Sequence, residues 1–265
     1  MSLLLHVSDP HFGTELPHVV SDLRALALAQ RPRLVVLSGD ITQRARRAQF
    51  EAARRFVDAL GAPVLAIPGN HDVPLFNLPA RLFTPYGGYA RCFGAVAPEH
   101  ADAQLLVIGV NTTRWWRHKH GELSRQQVRT VAARLQRAQA GQLRVVVVHQ
   151  PLQVLDAGDA HDCLRLRGMT RDGVARAWSE AGADLVLSGH IHRSFIVQAP
   201  DGARGLWCVQ AGTAVSRRLR RGEPNEVNLI RWSDGECVVE QWEHRGTAGF
   251  VPARRAAFRP GRAAV

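Results

Sequence analysis

The sequence predicts a layered α/β protein, because short runs of β-branched residues and leucine alternate with amphipathic helical segments. The predicted strands in this alternating part are residues 3–8, 34–38, 64–67, 105–110, 145–149 and 184–188. The predicted helices are residues 19–30, 45–60, 124–138 and 171–181. After His192 the pattern changes to short strands separated by turn sequences, which indicates antiparallel strands that build a second sheet or extend the first.

The C-terminal third is predicted to be a meander with strands at residues 194–198, 205–210, 227–232 and 237–242. We expect a single domain over residues 1–252, because one hydrophobic core can serve a chain of this length. Residues 253–265 are rich in arginine and alanine and predict a basic, flexible C-terminal tail. A second irregular segment, residues 73–94, contains several prolines and a glycine pair, and long loops of this kind are usually functional or disordered.

Composition restricts the class of protein without identifying a function. The chain has 34 basic and 23 acidic residues, a formal charge of +11, and only Lys119 is a lysine. Together with the abundant alanine, this arginine excess favours biased codon usage over a surface selected for nucleic acid. A basic surface that attracts anionic substrates is the alternative.

The sequence also predicts a cytoplasmic protein with no membrane span. No apolar run approaches the roughly 20 residues that a membrane helix needs. The first residues lack a basic region and a cleavage site of the kind that signal peptides carry, and Asp9 and His11 follow them closely. The four cysteines are widely scattered without a CxxC pair, so we expect them to be reduced and mostly buried.

Potential metal ligands follow directly on five of the predicted strands. They are Asp9 with His11, Asp40, Asn70 with His71 and Asp72, His149, and His190 with His192. The carboxyl ends of parallel strands lie at one edge of a sheet, so these residues are expected to converge there. Oxygen and imidazole ligands without cysteine suit manganese, iron, zinc or nickel.

Each of these motifs has a simpler explanation when it is taken alone. Asp9 and Asp40 are residue types that are common in turns and helix caps. His149 ends a strand of four valines, where a buried core histidine is usual. In an extended segment His190 and His192 would lie on one side, although two surface histidines in a loop are an alternative. Joint occurrence at five strand ends nevertheless favours a metal site.

The chain resembles the calcineurin-like metallophosphoesterases in the order of its motifs. Within that family it is most similar to the bacterial class III cyclic-nucleotide phosphodiesterases, including the stretch Gly121-Glu122-Leu123-Ser124-Arg125-Gln126-Gln127 that leads into a helix. The motifs are Asp9-Pro10-His11, Gly39-Asp40, Gly69-Asn70-His71-Asp72, His149 and Gly189-His190-Ile191-His192. The resemblance implies a four-layer αββα sandwich of two mixed β-sheets flanked by helices. It also implies two divalent metal ions, one held by Asp9, His11 and His192 and the other by Asn70, His149 and His190, with Asp40 bridging both.

A site of this kind is expected to hydrolyse a phosphodiester by attack of a metal-bridging hydroxide, because paired ions lower the pKa of water and clamp the phosphoryl group. The two ions are Mn²⁺, Fe²⁺ or Fe³⁺, Zn²⁺ or Ni²⁺. By the same resemblance, Asn70 and His71 contact the substrate. His71 is placed to donate a proton to the leaving oxygen, and Asp72 to orient the His71 ring or to stiffen its loop.

The expected substrate is a small anionic phosphoester, with a 3',5'-cyclic nucleotide as the first candidate. A phosphomonoesterase or a nuclease of the same superfamily is an alternative, and so is a protein that binds nucleic acid or a phosphorylated ligand without turnover. Gly69-Asn70-His71-Asp72 departs from the GNHE of the protein phosphatases, which argues against a phosphoprotein substrate. Nucleic acid is a less favoured partner, and a homodimer is a further expectation.

Aromatic residues are expected near the mouth of the site. They are Phe12, Tyr86, Tyr89, Trp115 and Trp116. Stacking on a nucleobase would suit a nucleotide substrate, but core packing is the favoured role. For Trp115 and Trp116 we expect burial or a subunit contact. His118, His120 and His161 match no motif position and are expected on the surface.

Overall fold

Two six-stranded β-sheets lie at the centre of the structure, a computed structural model that describes residues 1–199 and 205–260. In chain order the strands are β1 (Ser2–Val7), β2 (Leu34–Leu37), β3 (Val64–Ala66), β4 (Glu99–Ala101), β5 (Leu105–Gly109), β6 (Glu122–Leu123), β7 (Leu143–Val147), β8 (Arg165–Leu166), β9 (Leu185–Ser188), β10 (Phe195–Gln198), β11 (Trp207–Gln210), β12 (Glu226–Ser233), β13 (Glu236–His244) and β14 (Phe250–Phe258). The first sheet has the order β14-β13-β12-β1-β2-β3 and the second β10-β11-β9-β7-β5-β4, while β6 and β8 pair separately.

In the described part of the chain six α-helices accompany the sheets: α1 (Pro17–Gln30), α2 (Arg47–Asp58), α3 (Leu78–Phe83), α4 (Gly87–Phe93), α5 (Arg125–Leu135) and α6 (Arg171–Glu180). Parallel pairing joins β1, β2 and β3 in the first sheet and β5, β7 and β9 in the second. Both sheets also contain antiparallel pairs, so both are mixed.

Three apolar clusters explain why the layers stack. The central strands are apolar at nearly every position because both of their faces are covered. Leu5 and Val7 of β1 pack with α1 and α2 on one face, whereas Leu4 of the same strand contributes to the apolar layer between the two sheets. A third cluster joins the second sheet to α5 and α6 around the fully buried Trp178. The order helix, sheet, sheet, helix confirms the predicted αββα sandwich.

The alternating strands and helices of the first two thirds are confirmed, with ends that differ by a few residues. The predicted C-terminal meander is corrected, because its strands divide between the two sheets. β10 and β11 form a hairpin at the edge of the second sheet, and β11 also pairs in parallel with β9. Only β12, β13 and β14 form a meander, and it extends the first sheet beyond β1.

Two segments that were expected to be irregular are ordered. Residues 73–94 contain α3 and α4. Asn77 caps the N-terminus of α3, because its side chain accepts a hydrogen bond from the backbone N–H of Ala80. The predicted boundary at residue 253 is corrected by β14, which pairs with β13 along its length. Pro252 and the run of alanine and arginine at residues 253–257 interrupt the apolar pattern of this edge strand and explain why it was not recognised. Residues 261–265 of the expected tail lie outside the described residues.

All four cysteines are free, and Cys163, Cys208 and Cys237 are buried, which confirms their predicted state. Within residues 1–199 and 205–260, each helix is too short or too polar to cross a bilayer.

Candidate metal centre

The candidate ligands come from both sheets and meet at one place. Asp9, Asp40 and Asn70 follow β1, β2 and β3 of the first sheet. His149 follows β7, and His190 and His192 follow β9 of the second sheet. Because all five strands end on the same side, side chains that are distant in sequence become neighbours.

The ligand atoms form two adjoining clusters, each with all its atoms within 4.8 Å of one another. One consists of Asp9, His11 and His192, and the other of Asp40, His149 and His190, while a third group that meets the same limit, His11, Asp40 and His71, links the two. His192 Nε2 lies 3.3 Å from Asp9 Oδ1 in the first cluster. His149 Nε2 lies 3.3 Å from Asp40 Oδ1 in the second. The other oxygen of this carboxylate, Asp40 Oδ2, lies 3.8 Å from His11 Nε2, so Asp40 spans both clusters.

Several of these atoms are buried without a hydrogen-bond partner among the described residues. They are Asp9 Oδ1, Asn70 Oδ1, His149 Nε2 and both ring nitrogens of His190. Buried polar atoms are normally satisfied, so a set of unsatisfied lone pairs that face one another needs a cation to complete it. Carboxylate and amide oxygens with imidazole nitrogens are a suitable donor set for first-row divalent ions, and the residues therefore fit a two-metal centre.

Hydrogen bonds behind the clusters direct the remaining atoms towards the centre. The Nδ1–H of His149 donates to the Ser38 carbonyl at 2.8 Å, since a carbonyl oxygen only accepts. In the same way the Nδ1–H of His192 donates to the Arg218 carbonyl at 2.6 Å. Asp9 Oδ2 accepts from Ser8 Oγ at 2.6 Å and from the His190 backbone N–H at 2.9 Å. These contacts fix the ring tautomers and leave Nε2 or Oδ1 free to ligate.

The backbone at the ligands is unusual, because most of them adopt left-handed conformations. The φ values are 50° at Asp9, 44° at His11, 48° at Asp40, 76° at His190 and 54° at His192. Aspartate and histidine tolerate this region better than most residues, and such outliers concentrate at functional sites. For His190 and His192 this corrects the expected extended segment. The two rings reach the same site through a tight turn and not through strand alternation.

Glycines in two motifs allow the loops to approach closely. A Cβ added at Gly69 would overlap the backbone and carboxylate of Asp40. A Cβ added at Gly189 would overlap the side chains of Ser8 and Asp9. The glycine that precedes Asn70 and the one that precedes His190 are therefore required by packing between neighbouring loops.

The electrostatics of the centre favour bound positive charge. Burial lowers the pKa of His11 to about 3 and also lowers the pKa of His190. Burial also acts to lower the pKa of His149, but the charge of Asp40 outweighs it and raises this pKa to about 9. In the same pair, burial tends to raise the pKa of Asp40, and the charge of His149 holds it well below the usual range. The buried carboxylates thus retain a partner of positive charge, which divalent ions can supply in place of protons.

His71 and Asp72 lie side by side in sequence but have different surroundings. The His71 Nδ1–H donates to the Gln43 carbonyl at 2.9 Å, and Nε2 faces Arg218 Nη1 at 3.1 Å. Asp72 is buried and accepts backbone N–H bonds from Gly69, Ile41 and Thr42. Burial and the charge of Asp40 raise the pKa of Asp72 to about 7, against the effect of these donors. Asp72 therefore joins the loops after β2 and β3, while Gln43 and Arg218 contact the His71 ring.

A pocket of about 580 Å³ opens above the clusters, and its wall is rich in cations. Several of its lining residues lie outside the sequence motifs, namely Gln43, Arg44, His118, Lys119, Asp162, Arg218 and Arg220. Arg218 reaches furthest, because Nη1 lies 3.4 Å from His11 Nδ1 and 3.1 Å from Gln43 Oε1. Among the described residues no carboxylate lies within ion-pair distance of Arg218. The only signal in the sequence was the arginine-rich stretch 217–221, which matches no motif.

The aromatic residues and histidines outside the motifs behave differently from one another. Phe12 and Tyr89 are buried, as expected for core residues, and the Tyr89 hydroxyl donates to the Ala66 carbonyl. Trp115 and Trp116 are 38% and 50% exposed, so of the two expected roles burial within the chain is wrong and a subunit contact stays a prediction. His118 is exposed as predicted, but it also lines the pocket, with its ring centroid 6.4 Å from that of His71.

Comparison with known proteins identifies the class that this fold and site define. The calcineurin-like phosphoesterase family matches residues 3–194, and the chain belongs to this family, as its motifs predict. Membership of a phosphoesterase family confirms the predicted enzyme class, the metal-dependent phosphoric ester hydrolases. The remaining described residues, 195–199 and 205–260, complete both sheets.

Three similar proteins illustrate the relation. Glycerophosphodiester phosphodiesterase GpdQ of Enterobacter lignolyticus is 40% identical over 83 residues, which cover 26% of this chain and 29% of that protein. A probable cyclic nucleotide phosphodiesterase of Synechococcus sp. is 48% identical over 48 residues, 18% of this chain and 19% of that protein. The chain thus matches less than a third of either curated relative. The crystal structure of a dimetal phosphatase from Danio rerio has the same fold, with a TM-score of 0.66, 15% identity, and coverage of 97% of this chain and 98% of that one.

Proposed function

We propose that the chain is a two-metal phosphodiesterase for small anionic substrates, with 3',5'-cyclic nucleotides as the first candidates. The observation that carries the proposal is the pair of ligand clusters that Asp40 spans beneath a cationic pocket. The names of the two curated relatives, a glycerophosphodiester phosphodiesterase and a cyclic nucleotide phosphodiesterase, support a diester over a monoester.

In this proposal Asp9, His11 and His192 hold one ion, Asn70, His149 and His190 hold the other, and Asp40 is shared. Mn²⁺, Fe²⁺ or Fe³⁺, Zn²⁺ and Ni²⁺ all suit these donors. When bound, the two ions supply a nucleophile from water near neutral pH and positive charge that stabilises the phosphoryl oxygens. Two carboxylates against two divalent ions leave a net charge of about +2 if the other ligands are neutral, which attracts an anion.

The protein's own residues orient the substrate and move the proton. Arg218 has no carboxylate partner among the described residues and lies over His11 and His71, so an entering phosphoryl group is its natural ligand. The bond from His71 Nδ1–H to the Gln43 carbonyl aims Nε2 into the pocket. Nε2 accepts from the Arg218 N–H in the present arrangement, so His71 can donate a proton to the leaving oxygen once Arg218 has turned to the phosphoryl group and Nε2 has taken up a proton.

Hydrolysis of bis(p-nitrophenyl) phosphate by purified protein with added Mn²⁺ tests the proposal. We expect release of p-nitrophenol by the wild type and its loss in His190→Ala, which removes a ligand from the second cluster. His18→Ala on the exposed surface of α1 is the matched control and should retain full activity.

The same assay separates the alternatives. Faster turnover of p-nitrophenyl phosphate than of the diester would assign the chain to the phosphomonoesterases. Salt-dependent retention on single-stranded DNA without any turnover would instead indicate a binding protein. A 3',5'-cyclic nucleotide that is not hydrolysed by an enzyme active on the diester would remove the first candidate substrate.

A further inference from the structure

A second cavity adjoins the pocket above the metal centre. It has a volume of about 580 Å³ and shares Arg44 with that pocket. We name it the arginine groove after Arg44, Arg46, Arg47 and Arg91, which line it together with Phe76. The other described lining residues are Ala45, Pro74, Leu75, Asn77, Ala80, Thr84, Gly87 and Gly88.

The arginine groove carries positive charge that the described part of the chain does not neutralise. No acidic side chain is found among its described lining residues. Arg47 Nε pairs with Glu51 at 2.7 Å, but Arg44, Arg46 and Arg91 have no carboxylate within ion-pair distance among the described residues. Three exposed arginine side chains that line one cavity without an acidic ion-pair partner among the described residues favour an anion with several acceptor oxygens.

The local backbone adds to this preference. α2 begins at Arg47, so the positive end of its dipole faces the arginine groove, and its first turn contains no acidic residue. Ala45, Gly87 and Gly88 form part of the wall. The end of α2 only adds to the attraction for an anion, because most of the positive charge of the groove comes from the arginine side chains.

An exposed aromatic ring distinguishes the groove from a simple anion site. Phe76 is 78% exposed, and the Arg44 guanidinium carbon lies 5.5 Å from the centroid of its ring. Arginine side chains interleaved with exposed aromatic rings are typical of surfaces that bind single-stranded nucleic acid, in which phosphates contact the cations and bases stack on the rings.

We propose that the arginine groove binds the second phosphate of a short oligonucleotide whose neighbouring phosphodiester lies at the metal centre. Arg44 lies where the two cavities meet and contacts the linkage between them. Arg46 and Arg91 hold the second phosphate, and Phe76 stacks on the adjacent base. The inference rests on the proposed function, and among the phosphodiesters that this function allows it favours oligonucleotides with at least two phosphates over the cyclic mononucleotides.

Binding of two mononucleotides to the metal-loaded protein tests the groove without turnover of a diester. By calorimetry we expect thymidine 3',5'-bisphosphate to bind about tenfold more tightly than thymidine 5'-phosphate, because one additional charge-assisted hydrogen bond raises the affinity by about that factor. The advantage should fall to about twofold or less in Arg46→Ala/Arg91→Ala. Arg24→Ala/Arg129→Ala removes the same charge from exposed sites on α1 and α5 and should keep the tenfold advantage.

Turnover of dinucleotides gives the second measurement. We expect kcat/KM for 5'-phosphorylated dithymidylate to exceed that for unphosphorylated dithymidylate by about tenfold, and the ratio to approach one in the groove variant. Arg91→Gln, which keeps a long polar side chain, should lower the ratio partially and provides a milder change at the same exposed site.

The outcomes separate this inference from the proposed function. Equal affinity for the two mononucleotides, or an advantage that survives in the groove variant, overturns the second phosphate site. If bis(p-nitrophenyl) phosphate is still hydrolysed in that case, the proposed function stands without the groove. If no diester is hydrolysed at all, the proposed function fails, whereas a groove-dependent advantage in calorimetry would still support the phosphate site.

Discussion

The two sheets contribute different chemistry to one centre. The first sheet provides both carboxylates and the amide, Asp9, Asp40 and Asn70, which follow the last residue of their strands by two to four residues, together with the imidazole of His11. The second provides only imidazoles, His149, His190 and His192. Negative charge is therefore held on one sheet, and the neutral ligands of the other sheet approach it across the interface.

This division shows why the centre depends on the packing of the sheets. Neither sheet alone has enough ligands for two ions, and both clusters contain residues from both sheets. The pocket follows the same principle. Arg44 and His71 come from loops of the first sheet, Lys119 and Asp162 from loops of the second, and Arg218 from the connection between β11 and β12 that joins the sheets.

The largest expected effect is that of removing the shared carboxylate. Asp40→Ala should abolish binding of both ions and lower kcat/KM by at least about 10³-fold, since metal-ion stabilisation of the transition state is worth several kcal/mol. His149→Ala removes an imidazole of the second sheet and should cost one ion only. Elemental analysis of metal per protein chain measures this difference, with Asp58→Ala on the exposed end of α2 as the control. Full two-ion occupancy in Asp40→Ala would show that this carboxylate does not bridge.

A smaller, substrate-dependent effect is expected at His71, which belongs to the first sheet but binds no ion in the proposal. His71→Ala should retain both ions and slow the hydrolysis of alkyl diesters by about 10² to 10⁴-fold, the usual value of general acid catalysis. Esters of p-nitrophenol should be affected much less, because this leaving group needs little protonation. The check is kcat for a series of diesters that differ in the acidity of the leaving alcohol. Losses of equal size across the series would contradict the role of His71 as the acid.

Arg218 lies in the segment that connects the two sheets. Its removal should lower kcat/KM for every substrate, by less than the loss expected for alkyl diesters in His71→Ala. Arg218→Ala should lower kcat/KM by about 10 to 100-fold, the value of a charge-assisted hydrogen bond of roughly 1.5 to 3 kcal/mol. Arg218→Lys should restore part of this loss, because the charge returns without the planar fork. The neighbouring Arg217 is exposed and lines no part of the pocket, so Arg217→Ala is the matched control. Kinetics in which Arg218→Ala matches Arg217→Ala would remove Arg218 from the site.

The sequence predicted the parts of the molecule that depend on local patterns. Apolar runs of strand length and motif residues directly after them are visible without a structure, and so the sandwich and the candidate ligands were expected. The left-handed turn at His190 and His192 was not, because the conformation depends on the packing of Gly189 against Ser8 and Asp9. The position of Arg218 also depends on contacts between distant parts of the chain, because Arg218 lies 147 residues from His71 in the sequence.

β14 shows the same limit in the fold. An edge strand with one exposed face lacks the apolar pattern of a buried strand, and its arginines resemble those of a tail. Only the register with β13 identifies it as part of the sheet. Likewise, the division of the last strands between two sheets follows from packing partners and not from any local signal.

The smallest expected effect concerns stability where the chain returns from the second sheet to the first. Glu226 begins β12 and is buried, and burial raises the pKa of its carboxyl from 4.5 to about 7. The nearby charges of Glu223 and Glu243 act in the same direction, whereas Ser194 and Arg254 oppose it. Because the folded-state pKa is raised, the stabilisation by protonated Glu226 is fully present below about pH 4.5 and is lost as the pH rises through about 7.

Glu226→Gln keeps the shape of the side chain and removes this titration. Relative to the wild type, its free energy of unfolding should rise between pH 4.5 and pH 8.5 by up to about 3 kcal/mol, from 1.36 kcal/mol per unit of pKa. Urea unfolding of both proteins at the two pH values measures the change, and Glu236→Gln at the exposed start of β13 should show none. If wild type and Glu226→Gln lose stability in parallel, the carboxyl is not buried in solution and the connection between the sheets is more open there than its packing indicates.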